Sequence, residues 1–267
     1  MSERLTVTSG DAKLAVRIDG DAALPWIILS NSLASDMTMW DDQMADLTKL
    51  RRVLRYDTRG HGASSAPPAP YDFGKLVGDV TAVMDHLQIA SADILGLSLG
   101  GMTALGLGLD HQDRVKKLIC CDARGDFPPP AIALWEDRIK AVRSGGLAAI
   151  TDGTLERWFT EKTRELRPDV VARIRAMIES TSVEGYCGCA AALQGLDYRR
   201  RLPGLRRRTL YITGDADSGA PVDVVQEMAA ATPGSQCVVI PGAAHISNID
   251  NTAVYNETVC SFLQSAR

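Results

Sequence analysis

The sequence predicts an α/β fold: a mostly parallel central sheet with helices on both faces and a helical insertion over one end. Three observations carry this. Short apolar runs alternate with helix-like stretches along most of the 267 residues, the texture of βαβ units. One strand-to-helix junction holds a glycine-flanked serine, Gly96-Leu97-Ser98-Leu99-Gly100. One long interval, from about Asp126 to Asp197, reads as helix throughout.

The elements follow in order. Arg4 to Ser9 and Lys13 to Ile18 flank the turn Ser9-Gly10-Asp11 and read as an antiparallel hairpin. Strands are then expected at Trp26 to Ser30, Arg52 to Tyr56, Ala92 to Leu97, Val115 to Cys121, Thr209 to Thr213 and Gln236 to Ile240. Their near-continuous apolar character suits strands buried on both faces. Helices are expected near Trp40 to Leu50, Lys75 to Leu87, Met102 to Leu109, Val222 to Ala231 and Ala253 to Gln264. The insertion opens with Pro128-Pro129-Pro130 and predicts helices at Ile132 to Arg143, Leu155 to Lys162, Asp169 to Ser180 and Gly185 to Leu196. Residues 1–125 and 198–267 thus form the expected core, and 126–197 a cap over the carboxyl ends of the strands, where open α/β sheets bind ligands.

A hydrophobic share of 45% is enough for a sizeable core, and a formal charge of −4 supplies no global basic field, so neither nucleic acid nor an anionic membrane surface is an expected partner. The segment Met1 to Thr6 has no apolar signal core and no stretch approaches membrane-spanning length, which predicts a cytoplasmic protein. The six cysteines lack C-x-x-C spacing and read as small apolar side chains rather than as disulfides or metal ligands. The arginine runs 199–201 and 206–208 read as solvated surface. The oligomeric state is left open.

In the Ser98 segment the strand Ala92 to Leu97 leads in and an apolar helix leads out. This is the context of a nucleophile elbow, in which a sharp turn exposes the serine Oγ. A serine hydroxyl needs a base, and the base a carboxylate to orient it. The chain order Ser, Asp, His expected for such an elbow selects His245, in the loop after the last strand, as the base. His61 precedes Ser98 and reads as structural; His86 and His111 lie near helix ends. For the acid, the loop Thr213 to Pro221 offers Asp215 and Asp217, and Asp122 follows an earlier strand. Backbone N–H groups for the oxyanion are expected from Leu99, at the start of the elbow helix, and from Leu33, in the loop after strand Trp26 to Ser30.

The chain resembles the 3-oxoadipate enol-lactonases of the α/β-hydrolase superfamily. The resemblance rests on Leu29 to Leu33, Met39-Trp40, Leu54 to Ser65, Gly96 to Gly101, Trp135 to Ile139, Arg157-Trp158-Phe159 and Ala244 to Asn248, and so covers nearly the whole chain. Asn31-Ser32 stands where many relatives have His-Gly, and Cys120 to Arg124 departs from the family's Asn-Thr-Ala run. The family spacing G-x-x-D-x-x-x-P, matched from Gly214 to Pro221, selects Asp217 over Asp215.

What the resemblance implies is an α/β-hydrolase fold and hydrolysis of a carboxylated enol-lactone, a small-molecule substrate, with no metal or organic cofactor. It implies attack by Ser98, proton transfer through His245 and oxyanion binding at Leu33 and Leu99. Arg124 or Arg138 would clamp the substrate carboxylate, with Trp135 and Trp158 walling the pocket. Competing readings are an esterase or lactonase of other substrate on the same three residues, a carbon–carbon bond hydrolase, and a non-catalytic binding protein on this fold.

Overall fold

The computed structural model describes residues 2–265. Strands β1 (Glu3–Ser9), β2 (Ala12–Asp19), β3 (Trp26–Ser30), β4 (Arg52–Tyr56), β5 (Ala92–Leu97), β6 (Val115–Cys121), β7 (Arg208–Gly214) and β8 (Gln236–Ile240) form one sheet in the order β1-β2-β4-β3-β5-β6-β7-β8. The hairpin β1–β2 and the pair β2–β4 are antiparallel, and the other five pairings are parallel. The burial patterns obey this topology: β5, in the middle, is buried at every position, whereas β2 alternates. Adjacent β3 and β5 mark the point where the strand order reverses, and the carboxyl ends around it are the usual place for a ligand.

Between the strands run α1 (Asp41–Leu47), α2 (Phe73–His86) and α3 (Leu99–Asp110), followed after β7 by α9 (Val222–Ala231) and after β8 by α10 (Ser247–Asp250) and α11 (Thr252–Gln264). Helix α2 packs on α3, and α1 on α10 and α11, which gives the two helical layers. Helix α3 is buried from Leu99 through Gly108, so it is apolar all round, as a helix enclosed by sheet and neighbours must be.

Between β6 and β7 lie α4 (Pro129–Gly145), α5 (Ala148–Trp158), α6 (Glu161–Leu166), α7 (Pro168–Ser180) and α8 (Val183–Gln194). An antiparallel bridge between Asp126 and Asp197 closes the neck of this segment. The expected helix Leu155 to Lys162 is not continuous: α5 ends at extended Phe159 (φ −119°, ψ 144°), and the Thr160 side chain then caps α6 by accepting from the Thr163 N–H. Periodicity carried across that break because a cap is one residue long. The expected helix Trp40 to Leu50 is likewise a 3₁₀ turn, Met37–Trp40, followed by the shorter α1.

The outer features follow simple physics. Arg199 pairs with Glu227 and Arg201 with Asp110 at the surface. The six cysteines are free thiols, four of them buried, and burial pushes the Cys120 and Cys189 thiols well above the ordinary range. Among the described residues no helix is long and apolar enough to cross a membrane.

The tightest packing lies at the β5–α3 junction. A Cβ on Gly96 would lie 2.0 Å from Gly100 O, and one on Gly100 would lie 2.0 Å from Ser30 O. Both obstacles are backbone, which cannot rotate aside. Gly100→Ala is therefore expected to cost about 1–3 kcal/mol or more. The thermal midpoint should fall by about 2–4 °C per kcal/mol, measurable by calorimetry.

Candidate active site

Each functional side chain sits just beyond the carboxyl end of a strand. Ser98 follows β5 with φ 54° and ψ −116°, a conformation that costs energy for a residue with a Cβ and holds only where the surroundings enforce it. The enforcement is visible: the Ser98 N–H donates to Cys121 O on β6 at 2.8 Å, and the Ser98 carbonyl accepts the Met102 N–H of α3 at 2.9 Å. His245 sits in the loop after β8, with Nε2 2.9 Å from Ser98 Oγ. Its Nδ1 lies 2.9 and 3.0 Å from the two oxygens of Asp217, in the loop after β7. The Asp217 side chain is fully enclosed and also accepts the Gly219 N–H at 2.7 Å. This chain of contacts leaves a proton on Nδ1 and a lone pair on Nε2 facing the serine.

The other two acidic candidates do different work. Asp215 is exposed and accepts the N–H groups of Gly242 and Ala243, which folds the start of the His245 loop. Asp122 is completely buried and ties three segments together: its oxygens accept the Gly214 N–H at 3.0 Å and the Ser247 hydroxyl at 2.6 Å, and its own N–H donates to Ile212 O. Burial, reinforced by the charge of Asp217, raises its pKa far above that of an ordinary carboxylate. Asp250 performs a related task, accepting from the Ala244 N–H and from Thr160, so that the His245 loop is pinned to the α5–α6 junction.

The loop after β3 supplies Leu33. Neither its N–H nor that of Leu99 donates to a protein acceptor among the described residues. On either side of Leu33 the N–H groups are engaged, Ser32 with Met39 Sδ at 3.3 Å and Ala34 with His61 Nε2 at 3.0 Å. The Ser32 hydroxyl is buried without a partner.

Ser98, His245 and Leu33 line a small cavity, partly open to solvent, together with Arg124, Trp135, Arg138 and Trp158. Leu99 and Asp217 lie behind its wall. Trp158 is buried with its ring centroid 6.5 Å from that of His245, and Trp135 packs edge-on against Phe127. Arg138 donates to the Tyr186 hydroxyl at 3.0 Å and to Thr154 Oγ1 at 2.8 Å; Arg124 donates to Asp126 O. Arg157, which sequence reasoning did not single out as a ligand contact, lines the same cavity and donates only to Gly153 O. Desolvation and then the charge of Arg138 lower its pKa. Its signal in the sequence was present, three residues after Thr154 on α5 and beside Trp158, but no local rule tells a cavity-facing arginine from a solvated one. None of these three guanidiniums lies within ion-pair distance of a carboxylate among the described residues.

The sequence profile described as the alpha/beta hydrolase fold matches residues 25–252. The chain belongs to the α/β-hydrolase fold family. It is 34% identical over 254 residues to 3-oxoadipate enol-lactonase 2 of Acinetobacter baylyi, covering 95% of this chain and 94% of that one. A putative carbamate hydrolase of Caulobacter segnis is 26% identical over 90% of this chain and 91% of its own length. Among solved structures, the enol-lactonase from Burkholderia xenovorans LB400 superposes with a TM-score of 0.95 at 40% identity, covering 98% of this chain and all of that one. In this chain the fold takes the form of an eight-stranded, mostly parallel sheet with residues from the loops after β3, β5 and β8 meeting at one cavity.

His61 yields a pH dependence. It is 1% exposed, with Nδ1 3.1 Å from Arg59 O and Nε2 accepting from Ala34, so both nitrogens are satisfied only in the neutral ring. Burial pushes its pKa down to about 4. A histidine lowered on folding stabilises fully above its unfolded value near 6.5, and that contribution is lost as pH falls toward 4. The loss is on the order of 3 kcal/mol. Urea unfolding at pH 7 and pH 4.5 should show a larger drop for the wild type than for His61→Gln, which has no proton to gain.

Proposed function

We propose that this hydrolase opens the ring of a carboxylated enol-lactone, 3-oxoadipate enol-lactone or a close analogue, through an acyl-enzyme. The observation that carries the reading is the cavity itself: three arginines with neutral partners only, and two tryptophans, on the walls around the Ser98–His245 pair. An unpaired guanidinium in a partly desolvated pocket favours an anionic ligand, because charge-assisted hydrogen bonds strengthen there. The similarity to named enol-lactonases supports the same substrate class.

In this reading Ser98 Oγ attacks the lactone carbonyl as its proton passes to His245 Nε2. Asp217 stabilises the imidazolium through Nδ1, and the N–H groups of Leu33 and Leu99 hold the oxyanion. On collapse the ring C–O bond breaks, and His245 returns the proton to the departing enol oxygen. The enol becomes a ketone, which makes ring opening hard to reverse. Water, deprotonated by His245, then attacks the acyl carbon, and Ser98 Oγ leaves with that proton, releasing a product with a second carboxylate. Residues 126–197 act as the cap that shapes the acid pocket over the core. No metal or organic cofactor enters these steps. The second reading, an ester or carbamate hydrolase using the same three residues, is favoured by the similarity to the putative carbamate hydrolase.

Two outcomes are expected. An organophosphonate should modify Ser98 once with loss of activity, detected by peptide mass spectrometry, and Asp217→Asn should lower kcat by orders of magnitude more than Asp215→Asn. Labelling at another residue, with Ser98 untouched and activity lost, would refute the mechanism. For the substrate, Arg138→Met, Arg157→Met and Arg124→Met should be compared on the carboxylated enol-lactone and on a neutral p-nitrophenyl ester. At least one should lose about tenfold to a hundredfold in kcat/KM on the charged substrate alone, since such a hydrogen bond is worth roughly 1.5–3 kcal/mol. Equal losses on both substrates for all three variants would favour the second reading.

A further inference from the structure

The loop after β3 presents three successive amides with contrasting fates. Ser32 donates to Met39 Sδ, Ala34 donates to His61 Nε2, and the Leu33 N–H between them has no acceptor among the described residues. Ala34 has φ 61°, a left-handed turn that a residue with a Cβ adopts only under constraint. The constraint is the imidazole of His61, twenty-seven residues away in sequence. A carbonyl can only accept, so the contact of Nδ1 with Arg59 O places the proton on Nδ1 and leaves Nε2 as the acceptor for Ala34.

Behind His61 the support is rigid. The Arg59 guanidinium makes a two-point contact with Asp79 of α2, Nε and Nη2 each at 2.7 Å from a carboxylate oxygen, with both side chains buried. Arg59 is thereby fixed, its carbonyl fixes the imidazole, and the imidazole fixes Ala34. We infer that His61 is a positioning residue for hydrolysis: it holds the Ala34 amide, and with it the strained turn that keeps the Leu33 N–H available to a developing oxyanion. This inference rests on the reading of Leu33 as an oxyanion donor given above. His61 touches no substrate in this role and transfers no proton.

Asparagine and glutamine separate the two ends of the ring. His61→Asn keeps a donor near the position of Nδ1, for Arg59 O, but does not reach Ala34. His61→Gln carries an acceptor out to the position of Nε2. With a neutral p-nitrophenyl ester and the full-length chain, H61N should lose about tenfold to a hundredfold in kcat with KM changed less than about twofold, somewhat less than outright removal of an oxyanion donor costs. H61Q should recover most of that loss, and affinity for a boronic acid, a tetrahedral mimic, should follow kcat/KM across the series. His61→Leu, close in volume and also without an acceptor, gives the same comparison if H61N does not fold. Equal kcat losses in H61N and H61Q, a wild-type kcat in H61N, or a loss confined to KM would overturn the inference. Ser98→Ala, run alongside, separates the two levels. Turnover that survives in S98A overturns the proposed machinery and this role with it, whereas an inactive S98A beside a fully active H61N overturns the role alone.

Discussion

The site depends on one steric constraint, the backbone-to-backbone approach at the end of β5. Gly96 and Gly100 let the first turn of α3 sit against its own strand and against Ser30 at the end of β3, at separations that any side chain would close. That approach forces the chain through the left-handed conformation at Ser98 and brings the β3 and β5 termini together. The serine hydroxyl and the Leu33 loop become neighbours because two strands are neighbours. The strain at Ser98 is offset by burial of most of α3, where ten of its twelve residues, Leu99 to Gly108, are enclosed.

Around this turn, buried polar groups do the work that secondary structure cannot. The loops after β3, β6, β7 and β8 have no ladder of their own. Instead Asn31 bridges Tyr56 O and the Trp40 indole, Asp122 bridges Gly214 and Ser247, and Asp250 bridges Ala244 and Thr160. Each of these side chains is buried, so losing one partner would leave a polar atom without water to replace it. Such a network places atoms to within a fraction of an ångström, the tolerance that a hydrogen-bonded relay from Asp217 to Ser98 requires.

The charges are arranged with a similar logic but the opposite sign of satisfaction. Arg59 and Asp79 neutralise each other inside the fold and serve as structure. Arg124, Arg138 and Arg157 are held by carbonyls and hydroxyls, which orient a guanidinium without cancelling its charge. Desolvation and the charge of Arg138 together hold the Arg157 pKa below its ordinary value.

Local patterns determined much of this protein. Alternating apolar runs and helical stretches placed the six strands β3 to β8, and short alternation around the Ser9-Gly10-Asp11 turn placed the hairpin β1–β2. G-x-S-x-G located the elbow, because a strand, a turn and a helix contiguous in sequence are contiguous in space. The position of His245 after the last strand followed from chain order, and the strand-free interval marked the helical segment between β6 and β7. What tertiary structure decided are contacts between residues far apart in sequence, which leave no periodic trace. Asp217 and Asp215 lie two residues apart in one loop, and only the packing of β7 beside β8 turns the first toward His245 and the second toward the Gly242 turn. Spacing alone could not distinguish Arg157 from a solvated arginine, nor reveal that His61 holds Ala34, because both depend on how the segments pack rather than on the residues beside them.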